Sequence, residues 1–386
     1  MRIGIFTNTY LPSVNGVANS IRAFRRGLEA EGHTVFVFAP SAAGYPEEDD
    51  FVLRFPARAL PRYPDYPLPL PLAPGFAHTA AQLGLDLVHT QHPWLLGAWG
   101  VRFARRHRLP VVTTIHTQYE MYAHYAFPIP PALLRPGLRG AVRRYCNRCD
   151  VVATPGLAMR DYLVDLGVRR PIEVVPNATD LSGFDTADGA EVRTRHGIAR
   201  EDVLYLFVGR AAREKSLDRL IEAFALVAAE LPEAKLMIVG GGPELEPLRA
   251  LAARQLCADR ILLPGPVPHD TVAEYHAAAD VFVTASVTEV QPLSLNEAMC
   301  ARTPIVGFNA GGINDMVCDG STGLLADPAE GPKGLARLML GLGRDPTMRQ
   351  TLALEAQRYS FRYHIPHATH RLLEVYADTR GRVFKL

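Results

Sequence analysis

Glu289 and Glu297 have seven residues between them in Thr288-Glu289-Val290-Gln291-Pro292-Leu293-Ser294-Leu295-Asn296-Glu297-Ala298-Met299. The stretch follows an apolar run, Val281–Thr284, and from Ser294 onward it reads as the start of a helix. A helix start presents main-chain N–H groups with no intrahelical acceptor, which suits an anion. A carboxylate at either end accepts hydrogen bonds from hydroxyls. The spacing fits equally a solvated helix with ordinary glutamates. Arg210 and Lys215 follow a second apolar run, Leu204–Val208. An arginine fork and a lysine point charge suit a diphosphate. Taken alone, the two are also ordinary surface ion-pair partners.

A second cluster, His116-Thr117-Gln118-Tyr119-Glu120-Met121-Tyr122-Ala123-His124-Tyr125, comes directly after the run Val111–Ile115. It reads either as an aromatic cap on a sheet edge or as a polar binding surface. Its carboxylate and histidines have no recognisable metal-ligand pattern, and no metal is expected. His89-Thr90-Gln91-His92, followed by Leu96-Gly97, is a similar group. Wound as a helix at about 100° per residue, residues 132–148 put Leu134, Leu138, Val142 and Tyr145 in one sector. Arg135, Arg139 and Arg143 flank that sector, with Arg144 and Arg148 further round. Such a stripe suits an interfacial membrane helix, or a helix packed on its own domain with solvated arginines. Pro136 and Gly137 oppose helix at its start. Cys146 and Cys149 form a C-x-x-C with no second pair, and read as incidental thiols rather than a zinc site.

These groups need elements to hold them. At roughly 100–200 residues per domain, 386 residues predict two domains. The runs Ile3–Phe6, Val35–Phe38, Leu85–His89, Val111–Ile115, Val151–Ala153 and Ile172–Val175 form one series of buried parallel strands. Leu204–Val208, Leu236–Val239, Ile261–Leu263, Val281–Thr284, Ile305–Gly307 and Gly323–Leu325 form another. The fold class is therefore α/β, with two doubly wound domains facing across a cleft. A helix is expected at Asn19–Glu31, and an irregular surface loop at Pro56–Gly75, which holds seven prolines. The polar stretch Asn177–Asp202 divides the series, with a hinge at 178–200. The expected domains are 1–178 and 179–365, with 366–386 a C-terminal segment whose helix, about Ala368–Thr379, packs back across them. Ligands of such sheets bind at the carboxyl ends of strands, where the groups above fall.

Charge narrows the partners. The 41 Lys plus Arg nearly balance 40 Asp plus Glu, which excludes a polybasic nucleic-acid binder. Residues 1–180 hold 19 Arg, no Lys and 14 acidic residues, leaving 22 basic and 26 acidic residues beyond. An anionic partner prefers the first half. Five cysteines do not make a disulfide framework. Met1 leads straight into the strand-like Arg2–Phe6 rather than a signal peptide, and no apolar stretch approaches ~20 residues. The expectation is a cytoplasmic protein, free or attached to a membrane face.

The Glu289–Glu297 stretch resembles the signature of the retaining glycosyltransferases of family 4, in which two glutamates flank seven residues. The resemblance runs through nearly the whole chain. Asn15-Gly16-Val17 matches the family's glycine loop, and Val208-Gly209-Arg210 with Lys215 its Arg and Lys pair. Val239-Gly240-Gly241-Gly242-Pro243-Glu244, Gly311-Gly312 and Asp319-Gly320-Ser321-Thr322-Gly323 match later landmarks. The His116–Tyr125 block and His89–His92 resemble bacterial diacylglycerol glucosyltransferases and related glycolipid synthases.

The resemblance implies a GT-B fold of two Rossmann-like domains, a nucleotide-sugar donor as co-substrate, and no bound cofactor. It implies hexose transfer with retention, glucose from UDP-glucose, to a membrane lipid such as diacylglycerol. His116, Arg210, Lys215 and Glu289 would be catalytic. Gly16, Gly241, Val267, Leu293, Ser294 and Glu297 would bind the donor, with Val267 reading the base and Glu297 the ribose. His92, Tyr119, Glu120 and His124 would face the acceptor. Arg135, Arg139, Arg143 and Arg144 would contact an anionic membrane surface on the cytoplasmic face. Arg210 and Lys215 would take the place of a metal ion. Pro292, Asn314-Asp315 and Ala178 depart from the family pattern, and cloud the donor identity. Mannosyl or galactosyl transfer to phosphatidylinositol, another glycolipid or a soluble sugar stays open. So do an epimerase or phosphorylase on the same fold, and a non-catalytic membrane-surface binding protein.

Overall fold

The computed structural model describes residues 1–13, 15–42, 44–47, 49–60, 63–69, 76–121 and 130–383. The chain divides into two compact units. Unit 1 is Met1–Thr179 with Tyr363–Leu386, and unit 2 is Asp180–Arg362.

Unit 1 contains β1 (Arg2–Phe6), α1 (Gly16–Ala30), β2 (Thr34–Pro40), β3 (Val52–Phe55), β4 (Ala57–Leu60), β5 (Tyr63–Pro69), α2 (Phe76–Gln82) and β6 (Leu87–Thr90). There follow α3 (Leu96–His107), β7 (Val111–Thr114), α4 (Pro131–Cys146), β8 (Val151–Thr154), α5 (Leu157–Asp165) and β9 (Ile172–Val174). Its parallel sheet has the order β3-β2-β1-β6-β7-β8-β9. The apolar runs become strands because both faces are covered: Ile3, Val35, Leu87 and Val112 are buried on one face and Phe6, Phe38, Val88 and Val111 on the other. Helix α1 begins a turn before the expected start because the Asn15 side chain caps it, accepting from Ala18 N–H at 3.0 Å.

Unit 2 contains α6 (Ala190–Arg195), β10 (Val203–Val208), α7 (Leu217–Glu230), β11 (Ala234–Val239), α8 (Leu245–Ala252), β12 (Ile261–Gly265), α9 (Val272–Ala278) and β13 (Val281–Val283). It continues with α10 (Leu293–Cys300), β14 (Ile305–Phe308), α11 (Ile313–Met316), β15 (Gly323–Ala326), α12 (Gly331–Arg344) and α13 (Pro346–Ser360). Its parallel sheet runs β12-β11-β10-β13-β14-β15. In each sheet the strand order reverses beside the first strand, between β1 and β6 and between β10 and β13. At such a switch point the flanking loops turn to opposite faces and leave a crevice at the carboxyl ends.

Three expectations change. Pro56–Gly75 is not wholly irregular: β4 and β5 pair as an antiparallel ribbon. A two-stranded ribbon tolerates proline because each strand has one unpaired edge. The polar divider largely belongs to unit 2, where Phe184, Val192 and Ile198 are buried in its cores. The final helix, α14 (Ile365–Val383), belongs to unit 1, where Leu372, Val375 and Tyr376 join the core with Ile21 and Leu28 of α1.

Candidate active site

In unit 2 the switch point brings together residues far apart in sequence. The chain leaving β10 turns through a short 3-10 segment, Arg213–Lys215. The chain leaving β13 passes beneath it. Ser286 Oγ and Thr288 Oγ1 donate to the Glu214 carbonyl at 3.0 and 3.4 Å. Lys215 Nζ then forms an ion pair with Glu289 Oε1. Both side chains are largely shielded, at 21% and 14% exposure, so their attraction is screened less than that of a surface pair. Arg210 stands exposed at the end of the same strand.

Helix α10 starts directly after this loop, with Pro292 at its N-cap and no capping side chain. The amides of Leu293 and Ser294 therefore occupy the first turn, where no intrahelical acceptor exists. One turn on, Glu297 is nearly buried. Its Oε2 lies 3.6 Å from Nε2 of His276 on α9. Val267, past β12, is partly buried against the unit 2 cores.

Glycines set how closely these loops approach. A Cβ on Gly312 would lie 1.7 Å from the Val290 carbonyl oxygen. Its N–H donates to Glu289 O at 2.6 Å. The Gly311-Gly312 pair thus holds the main chain that carries Glu289. The run Gly240–Gly242, expected to approach a nucleotide, packs against the loop after β10. Gly240 has φ +135°, and a Cβ there would meet Gly209 O at 1.9 Å. Gly241 O accepts from Ala211 N–H at 2.8 Å.

In unit 1 the groups past β1, β6 and β7 meet in the same way. Asn8 N–H donates to His92 Nδ1 at 3.2 Å, which leaves the ring proton of neutral His92 on Nε2. Asn8 also caps α3, its Oδ1 accepting from Leu96 N–H at 3.1 Å. His116 Nε2 donates to Gln91 Oε1 at 2.7 Å, so its Nδ1 carries the lone pair. Burial holds both rings neutral, pushing His92 down to about 4 and His116 down to about 3. The pair offers one donor and one acceptor, a match for hydroxyls. Gly16 opens α1, with free space where a side chain would be.

The acceptor-facing expectations fare differently. The Tyr119 ring stands edge-on to Trp94 at 5.5 Å, and burial raises its phenol well above the ordinary value. Glu120 is buried, its two oxygens accepting from Arg139 at 2.8 Å and Tyr162 at 2.7 Å. The carboxylate is thereby committed to tying α4 and α5 to the chain past β7, and Arg139 is drawn inward with it. His124 lies outside the described residues.

Helix α4 divides along its length. Val142 and Tyr145 are buried in unit 1, and the Tyr145 hydroxyl is hydrogen-bonded to Thr90 Oγ1 at 2.6 Å. That half of the apolar stripe is core. Leu133 is 74% exposed, and Arg135, Arg143 and Arg144 face solvent. Two adjoining cavities of about 460 and 750 Å³ share Asn147 and Arg170 and are lined also by Arg102, Arg105, Arg143 and Arg148. They lie where α3, α4 and α5 end, near the start of β7, whereas His116 lies past its other end. Cys146 and Cys149 are buried and unbridged, and burial pushes the Cys146 thiol up to about 12. Among the described residues, no group of three or more His, Cys, Asp or Glu is placed to hold a metal, and no helix is long and apolar enough to cross a membrane.

Asn8, Gln91 and His276 carried no role in the sequence. The first two stand just past β1 and β6, so strand adjacency was the missing signal. His276 has no motif around it.

Two family profiles match the chain: Glycosyltransferase Family 4 over residues 14–182 and Glycosyl transferases group 1 over residues 188–359. The chain is 32% identical to the alpha-monoglucosyldiacylglycerol synthase of Streptococcus pneumoniae over 332 residues, 84% of this chain and 75% of that protein. It is 30% identical to the protein of the same name from Acholeplasma laidlawii over 370 residues, 92% of each. Further relatives bear the names D-inositol 3-phosphate glycosyltransferase and GDP-mannose-dependent alpha-mannosyltransferase. The solved sucrose-phosphate synthase from Thermosynechococcus elongatus has a TM-score of 0.81 at 21% identity, covering 99% of this chain and 100% of that one. At that identity the likeness concerns the fold alone.

Proposed function

The chain belongs to the glycosyltransferases of family 4 and group 1, with their GT-B fold of two parallel-sheet units, and from that premise we propose that it moves glucose from UDP-glucose to the hydroxyl of a membrane lipid such as diacylglycerol. The observation that carries the donor half is the Lys215–Glu289 pair at the unit 2 switch point, beside the uncapped start of α10. Glucosyl transfer to diacylglycerol is supported by the names of the two glucolipid-synthase relatives.

In the proposed reaction the C1–O bond to the β-phosphate breaks and a C1–O bond to the lipid hydroxyl forms on the same face. The hydroxyl proton passes to the departing phosphate oxygen, so retention needs no separate base. Lys215 and Arg210, with the amides of Leu293 and Ser294, stabilise the charge that grows on the diphosphate. This is the work a metal ion would otherwise do, and the reaction proceeds without one. Glu289 orients the sugar hydroxyls, and Lys215 turns from it toward the diphosphate when donor binds. Glu297 holds the ribose, Val267 lies against the base, and Gly16 leaves room for the phosphates. The lone pair of His116 accepts from a sugar hydroxyl. His92 Nε2–H and Tyr119 serve the acceptor side, and Glu120 acts there by fixing α4. Leu133, Arg135, Arg143 and Arg144, with the arginine-lined cavities, hold the enzyme peripherally on the anionic cytoplasmic face, at ~1 kcal/mol per charge.

Radiolabelled nucleotide sugars incubated with diacylglycerol vesicles test this reading. Label from UDP-glucose is expected in the lipid phase. Label confined to the aqueous phase overturns the lipid acceptor, and no turnover with any donor overturns the enzyme. The mannosyltransferase and inositol-phosphate relatives support a second reading with another donor or acceptor, which the same panel separates.

A further inference from the structure

His276 occupies a place where phenylalanine would pack more cheaply. Its ring is fully buried, stacked on Phe282 at 5.6 Å and 17°, with Phe184 edge-on at 5.7 Å. Neither ring nitrogen has a hydrogen-bond partner among the described residues. A buried polar group left in that state costs free energy that an apolar ring of the same shape would not. The acidic group near it is Glu297, whose Oε2 stands 3.6 Å from Nε2. A shift of several tenths of an ångström brings that pair to the ordinary N–H···O distance of about 2.9 Å.

The two residues sit on different helices. His276 is in the last turn of α9, where its carbonyl accepts from Thr303 Oγ1 at 3.1 Å. Glu297 is on α10, one turn from the amides of Leu293 and Ser294. A carboxylate on a side chain with three torsions is free to rotate, and a vicinal diol is gripped well only when both oxygens are held in one plane. A donor behind one oxygen supplies that restraint and leaves the remaining lone pairs for a ligand.

We propose that His276 is the positioning residue for Glu297: its Nε2–H fixes the carboxylate plane when a nucleotide binds, and so sets how strongly the site discriminates ribose hydroxyls. The proposal rests on the reading of Glu297 as the ribose ligand. Because the aromatic packing is shared with phenylalanine, the polar role can be separated from the structural one. H276F keeps the stacking and removes the donor. H276Q places an amide nitrogen near the Nε2 position. H276M is a second donor-free variant should the phenylalanine fail to fold, with thermal midpoints monitoring each.

The experiment is calorimetric titration of the full chain with UDP and GDP, each beside its 2′,3′-dideoxy analogue. The wild type is expected to prefer the ribose form, and H276F to weaken that form about tenfold while leaving the dideoxy form unchanged. H276Q should recover most of the loss. In steady state, donor KM should rise with kcat and acceptor KM unaltered. If E297A binds the ribose nucleotide as the wild type does, or the wild type binds neither nucleotide, the Glu297 reading fails and takes this proposal with it. If E297A is impaired while H276F and H276M discriminate like the wild type, the Glu297 reading survives and the role of His276 is overturned.

Discussion

At the scale of single residues, the state of His116 decides what it can contribute. Burial pushes its imidazole down to about 3, with His92 and His89 adding to the shift. The ring is thus neutral throughout pH 5–8, with its proton held toward Gln91, and it acts as an acceptor rather than a cation. The pH dependence of kcat/KM should therefore show no limb from His116 above pH 5. A limb near 6.5 that disappears in H116N would contradict this assignment. Lys215 is charged and shielded, and removing it deletes a donor aimed at the leaving group. Such a loss typically costs about 3–4 kcal/mol, or roughly 10²–10³ in rate. K215A should show that fall in kcat in single-turnover assays, and a change below threefold would remove Lys215 from the chemistry. Lys215 and Glu289 were legible because each lies within a few residues of an apolar run read as a strand, and because the stretches around them resemble the family 4 signature. Gln91 and Asn8 were not, because their partners depend on which strands neighbour one another, which spacing along the chain does not contain. Glu120 was legible as a polar residue past a strand, but its commitment to Arg139 and Tyr162 arises from the packing of two helices.

At the scale of elements, both parallel sheets were readable because strands buried on both faces are near-continuous apolar runs. The ribbon β4–β5 was hidden, since an edge-only pairing needs no such run and admits proline. Helix α4 was readable as amphipathic, yet its pattern could not say what covers the stripe; the burial of Val142 and Tyr145 does. The loop carrying Glu289 shows how an element positions a residue. It lies against Gly312 with no room for a methyl group. G312A must displace the main chain at Glu289–Val290, because the clash is with a carbonyl rather than with a movable side chain. Overpacking of this kind costs about 1–3 kcal/mol, and the displaced carboxylate should lower activity more than tenfold. G341A is the control: Gly341 lies in α12 with open space around its Cβ position, and alanine there should stabilise by about 0.5–1 kcal/mol without altering activity. Parallel thermal melts and assays separate the two, and equal activity in both variants would deny the loop its role.

At the scale of the whole molecule, the chain leaves unit 1 after Thr179 and returns at Tyr363 to finish it. The last helix, expected to lie across both domains, belongs to unit 1; an amphipathic face does not name the surface it covers. That helix completes the polar centre of unit 1. The Tyr376 hydroxyl is hydrogen-bonded to His89 Nδ1 at 2.7 Å, while His89 Nε2 pairs with Thr114 Oγ1 at 2.7 Å. All of this is buried, so Y376F leaves a ring nitrogen unsatisfied and should destabilise the protein by about 1–3 kcal/mol, read from denaturant midpoints. The same burial makes the fold sensitive to acid. His89, His92 and His116 are held at about 3, 4 and 3, below their ordinary 6.5. Between pH 4 and 6.5 the unfolded chain binds protons that the native rings refuse, so stability rises with pH across that window and levels off above it. Each ring contributes about 1.4 kcal/mol per pH unit well below 6.5. Unfolding at pH 5.5 should therefore take up close to three protons from these rings, with smaller additions from His33 and His196, which burial also lowers. Calorimetry in buffers of differing ionisation enthalpy counts those protons. An uptake below one would mean that the rings are hydrated and already charged in the native state, and the neutral donor–acceptor pair formed by His92 and His116 would be lost with them.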